Sequence, residues 1–196
     1  MKTEGSTVRD EEMIEKTITS RQIFEGKVLD VRCDIVSLPN GGEGTREYAI
    51  HKGAVCIVSL TDAGEVILVK QYRYAIRKVF LEIPAGKFDF VGEDPREAAL
   101  RELREETGAI PRVLTPLGAL VPSCAILTER IHMFLAEGLT FGETEFDDDE
   151  FIELVKIPLP ELVDMVMRGE VEDAKTQIAA LKAWKIKRDE ASRKGE

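Results

Sequence analysis

Apolar and polar positions alternate along this chain with two different periods. From Thr17 to His51 the period is two. Gln22–Glu25 and Lys27–Ser37 alternate around Gly26, Pro39-Asn40-Gly41-Gly42 reads as a turn, and Thr45–His51 as the returning strand. This predicts a small antiparallel β unit over residues 17–50, preceded by a polar tail of mixed charge over residues 1–16 that is expected to be loosely ordered. Such a unit is too small to bury a core alone, so it must pack on the rest of the chain or on a second copy.

The second part, residues 51–196, has a different rhythm. Ala54–Leu60 is almost continuously apolar and β-branched, which predicts a central strand buried on both faces. Thr61-Asp62-Ala63-Gly64 turns the chain into a strand over Glu65–Tyr72. Val79–Ile83, Leu114–Val121, Ile131–Ala136 and Ile152–Ile157 read as further strands. Two helices close the chain, Pro160–Arg168 and Ala174–Arg188, the second with Ile178, Leu181 and Trp184 at helical spacing. Strands interleaved with a few helices, mostly through hairpin-like turns, predict α/β or α+β layers rather than a repeated βαβ array.

The clearest helix is Pro95–Thr107. Asp94 is a suitable N-cap, Pro95 fits the first helical position, Glu97 completes a capping-box pattern and Gly108 is the expected left-handed terminator. At 100° per residue, Ala99, Leu100, Leu103 and Thr107 share one face that must meet the core. Glu102 and Glu106 are four apart on the flank of that face, and Glu105 lies one step further round. Two carboxylates at this spacing repel by a few tenths of a kcal/mol in an isolated helix. Acidic residues on a helix usually form a solvated face, and Arg96, Arg101 and Arg104 could pair with these, but neither Glu102 nor Glu106 has a basic residue four positions downstream, where Glu106 and Ile110 stand. Beside a buried face the repulsion costs more, and a hard divalent cation that takes carboxylate oxygens would relieve it.

Composition narrows the function classes. The 196 residues carry 27 Lys+Arg against 37 Asp+Glu, a formal charge of −10. That balance argues against a general nucleic-acid binder. No apolar run approaches a membrane span and the N-terminus is acidic, which predicts a cytoplasmic protein. Cys33, Cys56 and Cys124 are widely spaced in apolar segments and read as reduced core residues. With two histidines, His51 and His132, paired-His zinc chemistry is not expected.

Gly86, Glu93 and the run Arg101-Glu102-Leu103-Arg104-Glu105-Glu106-Thr107-Gly108-Ala109 resemble the Nudix box, with one extra residue in the loop Lys87–Gly92 between the glycine and the first glutamate. Gln71-Tyr72-Arg73, Leu81-Glu82-Ile83-Pro84-Ala85-Gly86, Thr128-Glu129-Arg130, Asp148–Glu150 and Asp173-Ala174-Lys175-Thr176 extend the likeness to the ADP-ribose pyrophosphatase branch. Val121-Pro122-Ser123-Cys124-Ala125 departs from the Ser-Pro-Gly often found there.

The resemblance implies a Nudix-type α/β/α sandwich with a mixed sheet, and a homodimer formed through the N-terminal β unit. It implies Mg²⁺ or Mn²⁺ held by Ala85 (through its carbonyl), Glu102, Glu106 and Glu150. Glu105 would be a ligand or position water, and Asp148 or Glu150 would be the general base. Arg73, Glu82 and Glu129 would contact substrate, with Arg46 reaching in from the partner subunit. Gly86, Glu93, Arg101 and Gly108 would be structural. The implied reaction is hydrolysis of a nucleoside diphosphate sugar, ADP-ribose to AMP and ribose 5-phosphate. A GDP-sugar, NADH or an oxidised nucleotide is the alternative within the same chemistry. A non-catalytic nucleotide-sugar-binding module is disfavoured, because the acidic set is complete.

Overall fold

The computed structural model describes residues 9–145 and 151–194, which form two units. The first runs to His51 and also takes in Ser123–Thr128. Its strands β1 (Lys16–Glu25), β2 (Asp30–Ser37) and β3 (Glu43–Ile50) make an antiparallel sheet in that order. Gly41, at φ 84°, sits in the turn that closes with Leu38 N–H donating to Gly42 O at 2.8 Å. The tail differs from expectation where it is described: Asp10–Met13 form a single 3₁₀ turn, with the Arg9 guanidinium on Glu12. Ser123–Thr128 joins this sheet instead of the second unit. Ala49 N–H donates to Ile126 O at 2.9 Å, Thr128 N–H to Ala49 O at 3.1 Å, and His51 N–H to Thr128 Oγ1 at 2.8 Å. The expected boundary at residue 51 missed this because the segment's partners are distant in sequence. Ile18, Ile23, Phe24, Val28 and Leu29 are exposed in this unit.

The second unit holds β4 (Ala54–Leu60), β5 (Glu65–Arg73), β6 (Lys78–Glu82), β7 (Ala85–Lys87), α1 (Pro95–Thr107), β8 (Ala109–Leu120), β9 (Ile131–Phe141), β10 (Glu153–Pro158), α2 (Leu159–Met167) and α3 (Ala174–Lys194). Its sheet runs β10-β5-β4-β9-β8, with β6 beside β5 and β7 beside β4. Among the described strands the β4–β9 pair is parallel and the rest are antiparallel, giving the mixed sheet expected. All of β4 is buried. Val55 and Ile57 pack in one cluster with Ala98, Ala99 and Leu103 of α1, while Cys56 and Val58 pack in the other with Leu162 of α2 and Ala179 and Ala183 of α3. The period-two alternation of one strand therefore separates two helical layers, an α/β/α sandwich.

Several expectations shift in detail. β7 falls where a turn was expected, its three residues pairing with Ala54–Cys56. α3 seats itself through Thr176, Ala179, Ala180 and Ala183, whereas Ile178 and Leu181 are exposed and Trp184 is half-buried. It also runs past Arg188, supported by Lys185–Asp189 and Lys187–Glu190 pairs at helical spacing. All three cysteines are free, but only Cys56 is buried; Cys33 is half-buried and Cys124 exposed. Burial pushes the Cys56 thiol up to about 12, so it is unreactive packing. Among the described residues no helix is long and apolar enough to cross a membrane.

At the N-terminus of α1, Asp94 Oδ1 accepts from the amides of Arg96 and Glu97 at 2.8 and 3.2 Å. At its end Gly108, at φ 67°, returns its N–H to Arg104 O at 2.8 Å and approaches Gly142 so closely that an added Cβ would lie 2.5 Å from a backbone oxygen. Gly64 has a similar φ of 78° with open space around it. Gly64→Ala is expected to cost about 1 kcal/mol from conformation alone. Gly108→Ala is expected to cost about 1 kcal/mol more from the added clash. Urea denaturation of the two variants measures the difference.

Candidate active site

The second unit contains a cavity of about 700 Å³, walled by β5–β7, α1 and the start of α3. Into it α1 presents Arg101, Glu102, Glu105 and Glu106, the last only 5% exposed. Because β7 pairs with β4, Ala85 and Gly86 are held against this face of α1. Ala85 N–H donates to Glu106 Oε2 at 3.1 Å. Gly86 lies directly under Glu102: a Cβ there would sit 1.9 Å from the Glu102 carboxyl carbon. This close approach accounts for glycine at position 86.

Arg101 is the hub of the acidic face. Its Nη1 donates to Glu102 Oε1 at 2.8 Å and to Glu105 Oε2 at 3.2 Å, and its Nη2 to Glu93 Oε1 at 3.3 Å. Asp89 Oδ2 lies 3.4 Å from its Nε. Glu93 in turn accepts the Asp89 amide at 2.7 Å, tying the loop with the extra residue to the helix. Partial burial alone would lower the Arg101 pKa, but Glu102, Asp89 and Glu93 together hold it above its ordinary value. Arg101 thus meets Glu102 and Glu105 from within the same helix, although neither acid has a basic residue four positions downstream.

A second charged cluster lies across β5, β6 and α3. Arg73 grips Glu82 with two hydrogen bonds, Nε to Oε1 at 2.8 Å and Nη2 to Oε2 at 2.7 Å. Lys175 donates to the same Glu82 Oε2 and to Asp173 Oδ1 at 3.0 Å. Asp173 Oδ2 accepts from the Thr176 amide at 2.9 Å, and Thr176 Oγ1 accepts from the Ile83 amide at 2.9 Å. Burial would raise the Glu82 carboxyl, but hydrogen bonds and charge from Arg73 and Lys175 outweigh it and hold the group below its usual range.

Of the residues singled out in the sequence, Arg73, Glu82, Ala85, Gly86, Arg101, Glu102, Glu105, Glu106 and Glu129 line this one cavity. Glu93 stands behind it on Arg101, and Gly108 closes α1. Arg46 belongs to the first unit, where its guanidinium pairs with Glu15. Asp148 and Glu150 lie outside the described residues. Glu145, Asp89, Asp173 and Lys175 line the cavity without having been assigned a role. Glu145 was hidden among neighbouring acids, and its place is fixed by its amide donating to Glu105 O at 3.0 Å. Lys175 was visible only as part of the Asp173–Thr176 segment. His132 is a half-buried strand residue stacked obliquely 5.9 Å from Phe88, and burial and then Arg130 lower its pKa.

Among the described residues no three acidic or imidazole groups already converge as a metal cage. The donor chemistry nevertheless suits a hard divalent cation: three carboxylates on one helical turn face a cavity, and Glu102 is set over a glycine that leaves it room. These residues fit Mg²⁺ or Mn²⁺.

This fold and this acidic helix define a Nudix hydrolase. Residues 50–181 match the NUDIX domain and residues 15–49 the nucleoside diphosphate sugar hydrolase N-terminal domain, and the chain belongs to the Nudix family. It is 45% identical over 167 residues to the ADP-ribose pyrophosphatase of Bacillus subtilis, covering 84% of this chain and 90% of that protein. It is 41% identical over 167 residues, with the same coverage, to the methanol dehydrogenase activator of Bacillus methanolicus. A solved ADP compounds hydrolase shares the fold at a TM-score of 0.76 and 24% identity, over 87% of this chain and 93% of that one.

Gly86→Ala is expected to displace the Glu102 carboxylate while leaving the fold intact. Calorimetric titration with Mn²⁺ should show at least about tenfold weaker binding, with an unchanged circular dichroism spectrum. The depressed Glu82 pKa has a sign that can be checked. Its stabilising contribution is complete above the ordinary carboxylate pKa and is lost as pH falls through the lower folded-state value. Denaturation between pH 7 and pH 3 should therefore show an acid-side loss of stability that is smaller in Glu82→Gln.

Proposed function

We propose that this protein is a divalent-metal-dependent pyrophosphatase of nucleoside diphosphate sugars that hydrolyses ADP-ribose to AMP and ribose 5-phosphate. The observation that carries this reading is the joint presence of Glu102, Glu105, Glu106 and Arg73 around one cavity. Glu102 and Glu106, with the Ala85 carbonyl and Glu150, would hold Mg²⁺ or Mn²⁺. The bound cation supplies charge neutralisation for the diphosphate and a water of lowered pKa. Arg101 keeps Glu102 and Glu105 oriented before a cation arrives. Glu105, at the outer edge of the acidic turn, orients the attacking water. Asp148 or Glu150 accepts its proton.

Arg73 donates to a phosphate oxygen of the substrate, and Glu129 meets the ribose or its phosphates. Both oxygens of Glu82 are engaged by Arg73 and Lys175. Its part in substrate binding is therefore to set Arg73. Water attacks one phosphorus, one P–O bond of the bridge breaks with its electron pair passing to the departing phosphate oxygen, and the base returns the water's proton to that oxygen or to solvent as the two monophosphates leave. The N-terminal unit forms a homodimer, for which its exposed Ile18, Ile23, Phe24, Val28 and Leu29 provide an apolar surface. Arg46 of that unit then serves the partner's cavity. Free thiols and the absence of a long apolar helix among the described residues suit a cytoplasmic enzyme.

Purified protein with Mg²⁺ should release AMP from ADP-ribose faster than it turns over GDP-mannose, NADH or 8-oxo-dGTP. Turnover of 8-oxo-dGTP alone would discard the sugar-nucleotide reading. Glu106→Gln should keep the fold and lower kcat by about two or more orders of magnitude. Asp148→Asn and Glu150→Gln, assayed side by side, should show which carboxylate is the base through the larger loss of kcat. Equal wild-type rates would remove both from that role.

A further inference from the structure

Lys175 stands against a local preference. It is the second residue of α3, where the positive end of the helix dipole opposes a cation and favours an anion. Its side chain is only 12% exposed, and an ammonium is costly to bury unless carboxylates meet it. The helix does not need it, since Asp173 already caps the first turn and Ala179, Ala180 and Ala183 already seat the helix on the sheet. A residue that violates local preference while its neighbours satisfy it marks a position kept for function.

The charges can be followed outward from the helix. The Thr176 amide and hydroxyl satisfy Asp173 Oδ2, leaving Oδ1 for Lys175. Lys175 also holds Glu82, which is 2% exposed and carries the Arg73 fork. Arg73 is the open end of the chain, with a side chain 42% exposed at the cavity wall. The fork uses the Nε proton and one proton of Nη2, so three of the five guanidinium protons remain on the edge away from Glu82. In a plain ion pair a buried carboxylate would neutralise the guanidinium one to one. Here Glu82 divides its charge between two cations, and the free edge of Arg73 keeps its positive character.

We propose that Lys175 is a positioning residue for the anionic substrate: by sharing the Glu82 carboxylate it keeps Arg73 fixed and only partly neutralised, with its free edge ready for a phosphate oxygen. This rests on the cavity being a nucleoside diphosphate site.

The test measures kcat and KM for ADP-ribose with Mg²⁺ in the full chain. The variants are Lys175→Met, Lys175→Arg and the remote exposed Lys185→Met. Lys175→Met should raise KM at least about tenfold and leave kcat within about threefold, because ground-state and transition-state phosphate binding weaken together. Lys175→Arg and Lys185→Met should stay within about threefold of wild type in KM. An unmoved KM in Lys175→Met overturns the proposal. So does a fall in kcat and Tm together at constant KM, which is the signature of a merely structural residue. If Lys175→Met does not fold, a tenfold rise in KM for Lys175→Arg overturns it in the same way. A wild-type protein inert toward every nucleoside diphosphate would instead overturn the functional reading beneath it.

Discussion

Carboxylates gathered around one turn of α1 repel one another, and the second unit holds them together against that repulsion. Glu102, Glu105 and Glu106 stand within that turn, and Glu93 and Asp89 approach from the preceding loop. Partial shielding from water strengthens the repulsion over its value in bulk solvent. The arrangement persists because α1 is fixed at both ends, by Asp94 and Gly108, and because Ala98, Ala99 and Leu103 commit its other face to the buried strand β4. Arg101 then supplies one cation to four acids. The helix cannot turn to relieve the crowding without exposing its apolar face. The acids remain where the cavity requires them.

The two charged clusters around the cavity are opposite in kind. The cluster on α1 is acidic in excess and suited to cations. The cluster on β5, β6 and α3 is balanced, with two cations and two carboxylates, and it opens to the cavity through Arg73. An acidic protein can accept a diphosphate under these conditions, since the attraction is local and the net charge of −10 acts mainly at longer range. Specific geometry, not overall charge, sets the sign of the field at the site.

Much of this was legible in the residues. The continuous apolar run of β4, the turn glycines and the caps of α1 are short-range signals, and β4 and α1 formed at their expected bounds, whereas β8 (Ala109–Leu120) begins before the expected Leu114 and β9 (Ile131–Phe141) runs past the expected Ala136. The acidic turn was legible because helical periodicity converts spacing into a shared face. What escaped was long-range. β7 exists only because β4 offers it hydrogen bonds, and Thr128 finds a partner 77 residues earlier in His51, with Ala49 close by. The inward face of α3 was misjudged because large apolar residues carry the stronger pattern, whereas the sheet accepted the alanines. Arg101 was legible as one of three arginines on α1 able to pair with its acids; its choice of the adjacent Glu102 was not, because neighbours in sequence do not ordinarily face one another on a helix, and a long guanidinium side chain evades that rule.

Those alanines have a mechanical consequence. Ala179, Ala180 and Ala183 let the axis of α3 lie close to the sheet, and the first turn of that same rigid rod carries Asp173 and Lys175 to the cavity rim. The helix works as a spacer whose thickness is set by three methyl groups. Enlarging any of them would lift the rod and translate its charged tip, so a change made deep in the apolar layer, well away from any polar atom, would be read out as altered charge spacing at the cavity mouth.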